Sequence, residues 1–136
     1  MRGMTQTSPE LFALPGRAVI SVAGPEARAF LQRVITADIE ALETGQCRPG
    51  ALLTPQGKIL VDFLIFAEGD AVWLDVPEAV AEGLVKRLSL FRLRAKAEVV
   101  LNTDLVAVWA SAPFEGSAPD PRLDGRIHRG LAPATG

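Results

Sequence analysis

The spacing of apolar residues changes along the first part of the chain. A short run rich in β-branched residues extends from Arg17 to Gly24 and predicts a strand that ends at the glycine. Pro25 follows, and proline suits the first position of a helix. Apolar residues then recur with the spacing of one helix face, at Ala27, Phe30, Leu31, Val34 and Ile35. We predict that this helix covers a sheet and that residues 11–14 form a strand paired with the first one.

The middle of the chain predicts three consecutive antiparallel strands. The first ends at Leu53, where Thr54-Pro55-Gln56-Gly57 has the composition of a tight turn. The second, residues 58–67, is apolar at nearly every position except Asp62, as expected for a strand covered on both faces. A polar turn at residues 68–70 leads into the third strand, residues 71–76.

The remaining pattern predicts a second helix and two more strands. The helix begins at Pro77, and its apolar face consists of Val80, Leu84, Leu88 and Phe91. Strands are predicted at residues 95–101 and 105–110. Because strands and helices do not alternate regularly, we predict an α+β fold, with an antiparallel or mixed sheet and two helices.

The 136 residues fit a single domain. We expect a flexible N-terminus at residues 1–10 and an α+β unit at residues 11–110. Residues 111–136 are rich in proline, glycine and charge, and we expect an irregular tail that leads to a missing C-terminal part.

Composition and charge exclude several classes of function. The net charge of −2 argues against extended binding to duplex nucleic acid. No apolar run approaches the ~20 residues that span a bilayer, and no secretory signal is evident, so we expect a cytoplasmic protein without a membrane partner. A single cysteine, Cys47, allows neither an internal disulfide nor a metal site of several thiolates, and we interpret it as a packed thiol. The single histidine, His128, is interpreted as a solvated residue of the tail.

Asp62 is the most conspicuous polar residue because its strand is otherwise apolar. A buried carboxylate is costly unless it is hydrogen-bonded or lines a cavity. Asp62 is therefore either a structural acid bonded to a turn amide or a nearby cation, or a ligand-binding acid. Lys58 could pair with Asp62, face a ligand carboxylate, or be solvated.

Four segments in register resemble the start of the YgfZ/GcvT family of folate-binding proteins, above all its YgfZ-type branch. They are Val22-Ala23-Gly24-Pro25 with Phe30-Leu31-Gln32 and Ile35-Thr36-Ala37-Asp38, the stretch from Leu52 to Leu60, the junction from Phe91 to Lys96, and Asp120-Pro121-Arg122-Leu123.

The resemblance implies the first copy of a duplicated α+β folate-binding unit. It implies tetrahydrofolate as the cofactor and a role in the assembly or repair of iron-sulfur clusters, with indirect effects on tRNA modification. Iron-sulfur client or assembly proteins would be the partners. The pocket residues we expect are Gln56, Gly57, Lys58, Asp62 and Arg94, with no catalytic residue and no metal ligand.

Two alternatives stay open. The family also includes the aminomethyltransferase of the glycine cleavage system, whose members resemble this chain but carry paired acids at the positions of Val61 and Asp62. Valine at the first position argues against transfer chemistry, and we expect no enzymatic activity from this chain alone. The chain also lacks the Lys-Gly-Cys-Tyr-like signature found downstream in YgfZ-type proteins, so an inactive structural fragment is the other alternative.

Overall fold

The computed structural model describes residues 10–92, 94–114, 117–120 and 127–133. It contains two helices and nine strands within these ranges. The helices are α1 (Ala27–Val34) and α2 (Glu78–Arg92). The strands are β1 (Phe12–Ala13), β2 (Arg17–Ala23), β3 (Cys47–Leu53), β4 (Ile59–Glu68), β5 (Ala71–Pro77), β6 (Glu98–Leu101), β7 (Leu105–Ala110), β8 (Ala118–Pro119) and β9 (His128–Pro133).

The larger sheet has five strands in the order β3-β4-β5-β2-β6. All of its neighbouring strands are antiparallel. The strands β3, β4 and β5 follow one another in the chain and in the sheet, so the three consecutive strands predicted from the sequence are confirmed. The register places Asp62 opposite Ala51 and Leu64 opposite Asp75.

Both helices pack on one face of this sheet and bury its main core. Alternate residues of β4, including Phe63 and Ile65, join this core together with Phe30 and Leu31 of α1. The stripe predicted for α1 is confirmed, since Ala27, Phe30 and Leu31 are buried.

The apolar face predicted for α2 is partly wrong. Leu84 and Leu88 are buried as expected, but the third buried residue of the helix is Ala81. Val80 and Phe91 are 39% and 45% exposed. Leu84 and Leu88 belong to two overlapping apolar stripes of this helix, one with Val80 and the other with Ala81. Packing on the sheet buries the stripe that contains Ala81.

A second sheet, in the order β1-β7-β9-β8, lies on the opposite face. Leu64 and Phe66 of β4 point to this side, where they pack with Cys47 and Ala118. The strand β4 is therefore covered on both faces over residues 63–67, as predicted, whereas Ile59 and Leu60, predicted to be covered as well, are 66% and 44% exposed. Neither helix described here is long and apolar enough to cross a membrane.

Two predictions about the chain ends are wrong. Residues 12–13 pair with β7 and not with β2. The supposed irregular tail contains β9, which pairs with β7 over six residues, from Leu105↔Pro133 to Ala110↔His128. His128 accordingly lies half-buried in a strand. Asp120 is described and buried, whereas the rest of the Asp120–Leu123 motif lies outside the described residues.

Candidate functional site

Asp62 is exposed, so the prediction of a carboxylate buried within its strand is wrong. The cause is its position near the start of β4, before the region that the second sheet covers. Alternation along the strand puts Asp62 on the same face as Leu64, whereas a β-bulge at Leu60 interrupts the alternation, and Leu60 lines the groove beside α2 together with Val61. Leu64 is fully buried beneath the second sheet, whereas Leu60 is 44% exposed. Asp62 therefore stands on a part of the sheet face that the second sheet does not cover.

The turn before β4 is held by Thr54. The Gly57 amide donates to the Thr54 carbonyl at 2.9 Å, and the Lys58 amide donates to Thr54 Oγ1 at 3.1 Å. Gly57 has a φ of +86°, which glycine adopts without strain. Gln56, Gly57 and Lys58 are all exposed, so the structure brings these residues to the surface at the same end of β4 as Asp62.

Arg94 lies at the opposite end of the sheet. It follows α2 and precedes Lys96, whose carbonyl accepts a 3.1 Å hydrogen bond from the Glu26 amide just after β2 ends. Asp62 lies instead near the start of β2, because its strand runs alongside the end of β5 that pairs with Arg17. The length of β2 corresponds to about 20 Å. The described fold therefore does not bring Arg94 to the other predicted pocket residues.

The buried acid of this sheet is Asp75, which the sequence analysis did not single out. Its side chain is fully buried on β5 and is shared by two arginines. Arg17 Nε donates to Asp75 Oδ1 at 2.7 Å, and Arg129 Nη2 donates to Asp75 Oδ2 at 2.6 Å. Arg17 Nη2 also donates to the Asp75 carbonyl at 2.8 Å. These bonds satisfy the carboxylate on both oxygens, as a buried charge requires.

This ionic cluster connects the two sheets. Asp75 and Arg17 belong to the larger sheet, whereas Arg129 lies on β9 of the smaller one. Arg129 Nη1 also donates to Asp120 Oδ2, at 3.3 Å. The sequence signal was available, since Asp75 interrupts an apolar strand just as Asp62 does. The two arginines could not be found from sequence spacing, because they lie 58 and 54 residues from Asp75.

A cleft of about 890 Å³ lies between the turn at residues 44–46, β4, β5 and the smaller sheet. Its apolar lining includes Phe66, Trp73, Phe114 and Leu131. None of the five predicted pocket residues lines this cleft. Among the described residues, no three His, Cys, Asp or Glu side chains are grouped as metal ligands would be.

The fold and its open face can be compared with known proteins. A family model described as the GCVT N-terminal domain matches residues 4–109. The chain belongs to this family. The resemblance to the YgfZ/GcvT family is thus confirmed, as is the assignment to its N-terminal part.

Relatives of this GCVT N-terminal domain include iron-sulfur cluster assembly factors. The mitochondrial assembly factor IBA57 homologue of Chaetomium globosum is 32% identical over 139 residues, covering 79% of this chain and 32% of the relative. The mouse IBA57 is 32% identical over 116 residues, covering 75% of this chain and 32% of the relative. The aminomethyltransferase of Bacillus subtilis is 29% identical over 107 residues, covering 77% of this chain and 29% of the relative. The chain spans about a third of the length of these relatives.

A solved structure supports the fold. The glycine cleavage system aminomethyltransferase T from Bartonella henselae superposes with a TM-score of 0.66 at 24% identity, covering 77% of this chain and 29% of that protein. The two antiparallel sheets and two helices thus match the first half of the GcvT-like fold, and the predicted α+β class is confirmed.

Val61 faces away from Asp62. It is buried in the core beneath the helices, next to Leu84 of α2 in a groove of about 250 Å³. Successive strand residues point to opposite faces, so side chains at positions 61 and 62 cannot act together on one ligand group in this geometry. The paired acids that transferase members carry at the positions of Val61 and Asp62 would therefore point to opposite faces of this strand.

Proposed function

We propose that this GCVT N-terminal domain binds tetrahydrofolate as part of a factor that assembles or repairs iron-sulfur clusters. The observation that carries the proposal is the open position of Asp62 in a chain whose relatives are named as cluster assembly factors. An exposed carboxylate near the start of β4 can accept hydrogen bonds from a ligand.

The residues around Asp62 suit one side of a folate site. A flat ring system needs apolar surface with a few polar groups that fix its orientation. Asp62 supplies an acceptor for ring N–H groups, and Leu60, exposed at the bulge two residues earlier, supplies apolar surface near it. Lys58 supplies a positive charge at the same end of β4 for an anionic tail. Folate bound there would supply one-carbon chemistry, whereas the chain would contribute binding and orientation.

The proposal is tested by calorimetric titration of tetrahydrofolate into the full native protein. We expect Asp62→Asn to weaken binding by about tenfold or more, because a hydrogen bond to a charged group contributes about 1.5–3 kcal/mol. Asp70→Asn is the matched control, since Asp70 is exposed on the next turn and outside the site. Absence of binding by the wild type, or equal binding by both variants, contradicts the proposal.

Aminomethyl transfer is the second candidate, because relatives of this domain include aminomethyltransferases. Its assay is formation of methylene-tetrahydrofolate from an aminomethylated carrier protein. The valine at position 61 predicts no turnover from the sequence, but because this position faces the core, turnover in the assay would favour transfer chemistry without an acid there.

The proposed partners follow from the same proposal. Iron-sulfur client or assembly proteins are the proposed protein partners, and tRNA-modifying enzymes that carry clusters are proposed as clients. The cytoplasmic location stays a prediction from the sequence, whereas the fungal and mammalian relatives are named as mitochondrial.

A further inference from the structure

A groove of about 250 Å³ lies between the start of β4 and α2, on the helix side of the larger sheet. Its floor is apolar and belongs to the core, since Val61 and Leu84 are 8% and 3% exposed. Its rim is apolar and open, because Leu60 and Val80 are 44% and 39% exposed. The β-bulge in β4 forms part of this rim, since it takes Leu60 out of the alternation of the strand. The groove therefore exposes apolar surface that continues into the core.

Gly83 leaves a gap in the wall that α2 contributes to this groove. Glycine in the interior of a helix is less stable than alanine, so this residue weakens the helix. Its backbone does not require glycine, because Gly83 is not among the glycines with positive φ. Close packing does not require it either, because a Cβ atom at this position would meet no neighbouring heavy atom within 4 Å. The missing side chain leaves room that a side chain from another molecule can occupy.

Arg87 supplies the charge of the groove, and the other described residues that line it are uncharged. It follows Gly83 by one helical turn, about 6 Å along α2. Its side chain is exposed, and among the described residues it makes no hydrogen bond or ion pair. The acids of this helix, Glu78 and Glu82, line a different cleft beside Arg17. The groove thus combines apolar surface with an exposed positive charge, which complements an apolar side chain with a carboxylate near it.

The size of the groove distinguishes between a small molecule and a protein segment as its occupant. Small-molecule sites enclose about 300–1,000 Å³, and this open groove lies below that range. A protein segment needs room only for the side chains that anchor it, as when an amphipathic helix places apolar residues in a groove. A second copy of the chain, docked symmetrically at this groove, would bring two Arg87 side chains together, and their repulsion disfavours this arrangement. A segment of another protein fits best.

We propose that this groove docks an amphipathic helix of a partner protein, which inserts an aliphatic side chain over Gly83 and pairs an Asp or Glu with Arg87. Gly83 and Arg87 are four residues apart on α2, so an aliphatic residue and an acid four residues apart on the partner helix match their spacing. The inference does not depend on folate binding, because Asp62 and Val61 point to opposite faces of the strand.

The test uses a phage-displayed library of helical peptides with one fixed leucine, in which the residue one turn from the leucine is glutamate or lysine. Selection on the full native protein is expected to favour glutamate by about tenfold. The selected peptides are then titrated into variants of the protein. Gly83→Leu fills the groove and is expected to weaken peptide binding by about tenfold or more. Lys86→Leu, at an exposed position of α2 outside the groove, is the matched control and keeps the affinity within about twofold.

Reversal of the charge at Arg87 tests the acid preference separately. Arg87→Glu is expected to make lysine peptides bind more tightly than glutamate peptides, whereas the neighbouring Lys86→Glu keeps the preference for glutamate. Gly83→Leu introduces a better helix former, so a melting temperature at or above that of the wild type separates loss of binding from unfolding.

Several outcomes would overturn the inference. They are the absence of any selected peptide, peptides that bind Gly83→Leu as tightly as the wild type, and a preference for glutamate that Arg87→Glu leaves unchanged. If another part of the native protein covers the groove, no peptide depends on Gly83 and the inference is wrong. Self-association of the wild type that Gly83→Leu abolishes also overturns it, because a second copy is then the occupant. None of these outcomes affects the proposed folate site, which calorimetry tests separately.

Discussion

Two arginines share one fully buried carboxylate, Asp75, where the two sheets meet. Transfer of these charges out of water is costly, and their mutual attraction and hydrogen bonds offset that cost only while every partner is present. Removal of one partner leaves another charge buried without compensation. The cluster therefore makes the structure sensitive to changes at residue 75 even though the pair itself need not add much stability.

We predict that Asp75→Asn lowers the free energy of unfolding by about 3–5 kcal/mol. Asparagine keeps the size and one acceptor oxygen, so the loss reflects Arg17 left without its counter-charge and Arg129 left with Asp120 alone. Chemical denaturation followed by circular dichroism measures the change.

Asp70→Asn provides the comparison, because Asp70 is exposed and should change stability by less than about 0.5 kcal/mol. A loss below about 1 kcal/mol for Asp75→Asn would mean that the two arginines find other partners or water.

Asp62 and Asp75 explain why the site was only partly predictable from the sequence. Each acid interrupts an apolar strand, and local sequence gives no means of telling which one the second sheet covers. That depends on the pairing of β9 with β7, a contact between residues more than 15 positions apart. The exposed turn at residues 54–57 was predictable because proline and glycine determine its geometry locally.

At the scale of elements, α2 has a buried side and an exposed apolar side. Leu84 and Leu88 pack into the core, whereas Leu90 is 72% exposed and Phe91 is 45% exposed. The helix thus offers a pair of leucines two residues apart in opposite environments.

Leu88→Ala is predicted to cost about 2–5 kcal/mol, because it removes a fully buried side chain and leaves a cavity. Leu90→Ala, its matched control, is predicted to change the free energy of unfolding by less than about 0.5 kcal/mol. Thermal and denaturant unfolding of both variants provide the measurement. Similar losses for the two variants would contradict the orientation of α2.

Elements whose apolar residues recur with a clear helix or strand spacing were predicted well. Short strands that depend on pairing with distant segments were predicted poorly. The helix α1 and the strands β3 to β5 follow from apolar spacing and turn residues. The strand β9 contains Gly130 and Pro133 and follows a proline-rich stretch, so its composition indicates a loop. It forms a strand because it pairs with the apolar strand β7. This pairing is a tertiary contact that the local sequence does not indicate.

At the scale of the whole molecule, the second sheet protects one face of the first. Ala118 and the half-buried Leu131 pack over Cys47, Leu64 and Phe66. Arg129 reaches from the same sheet to Asp75. The segment after Phe114 therefore contributes both apolar cover and one of the two cations of the cluster.

A chain that ends at Pro113 is predicted to keep the five strands of the larger sheet but to melt about 10 °C or more below the full chain. The physical reason is the loss of Arg129 together with the apolar cover over Leu64. Cys47, buried in the full chain, should react faster with a thiol reagent after the truncation. The unfolded full chain sets the upper limit of that rate, and an unchanged melting temperature and thiol rate would contradict the prediction.

The order of strands along the chain also affects biosynthesis. All strands of the larger sheet lie between Arg17 and Leu101, whereas the smaller sheet joins residues 12–13 to residues 128–133 on either side of β7. During translation the larger sheet can form while β9 is still inside the ribosomal tunnel. Until that strand emerges, the nascent polypeptide carries an uncovered apolar face, which is the stage at which a holdase chaperone would bind it.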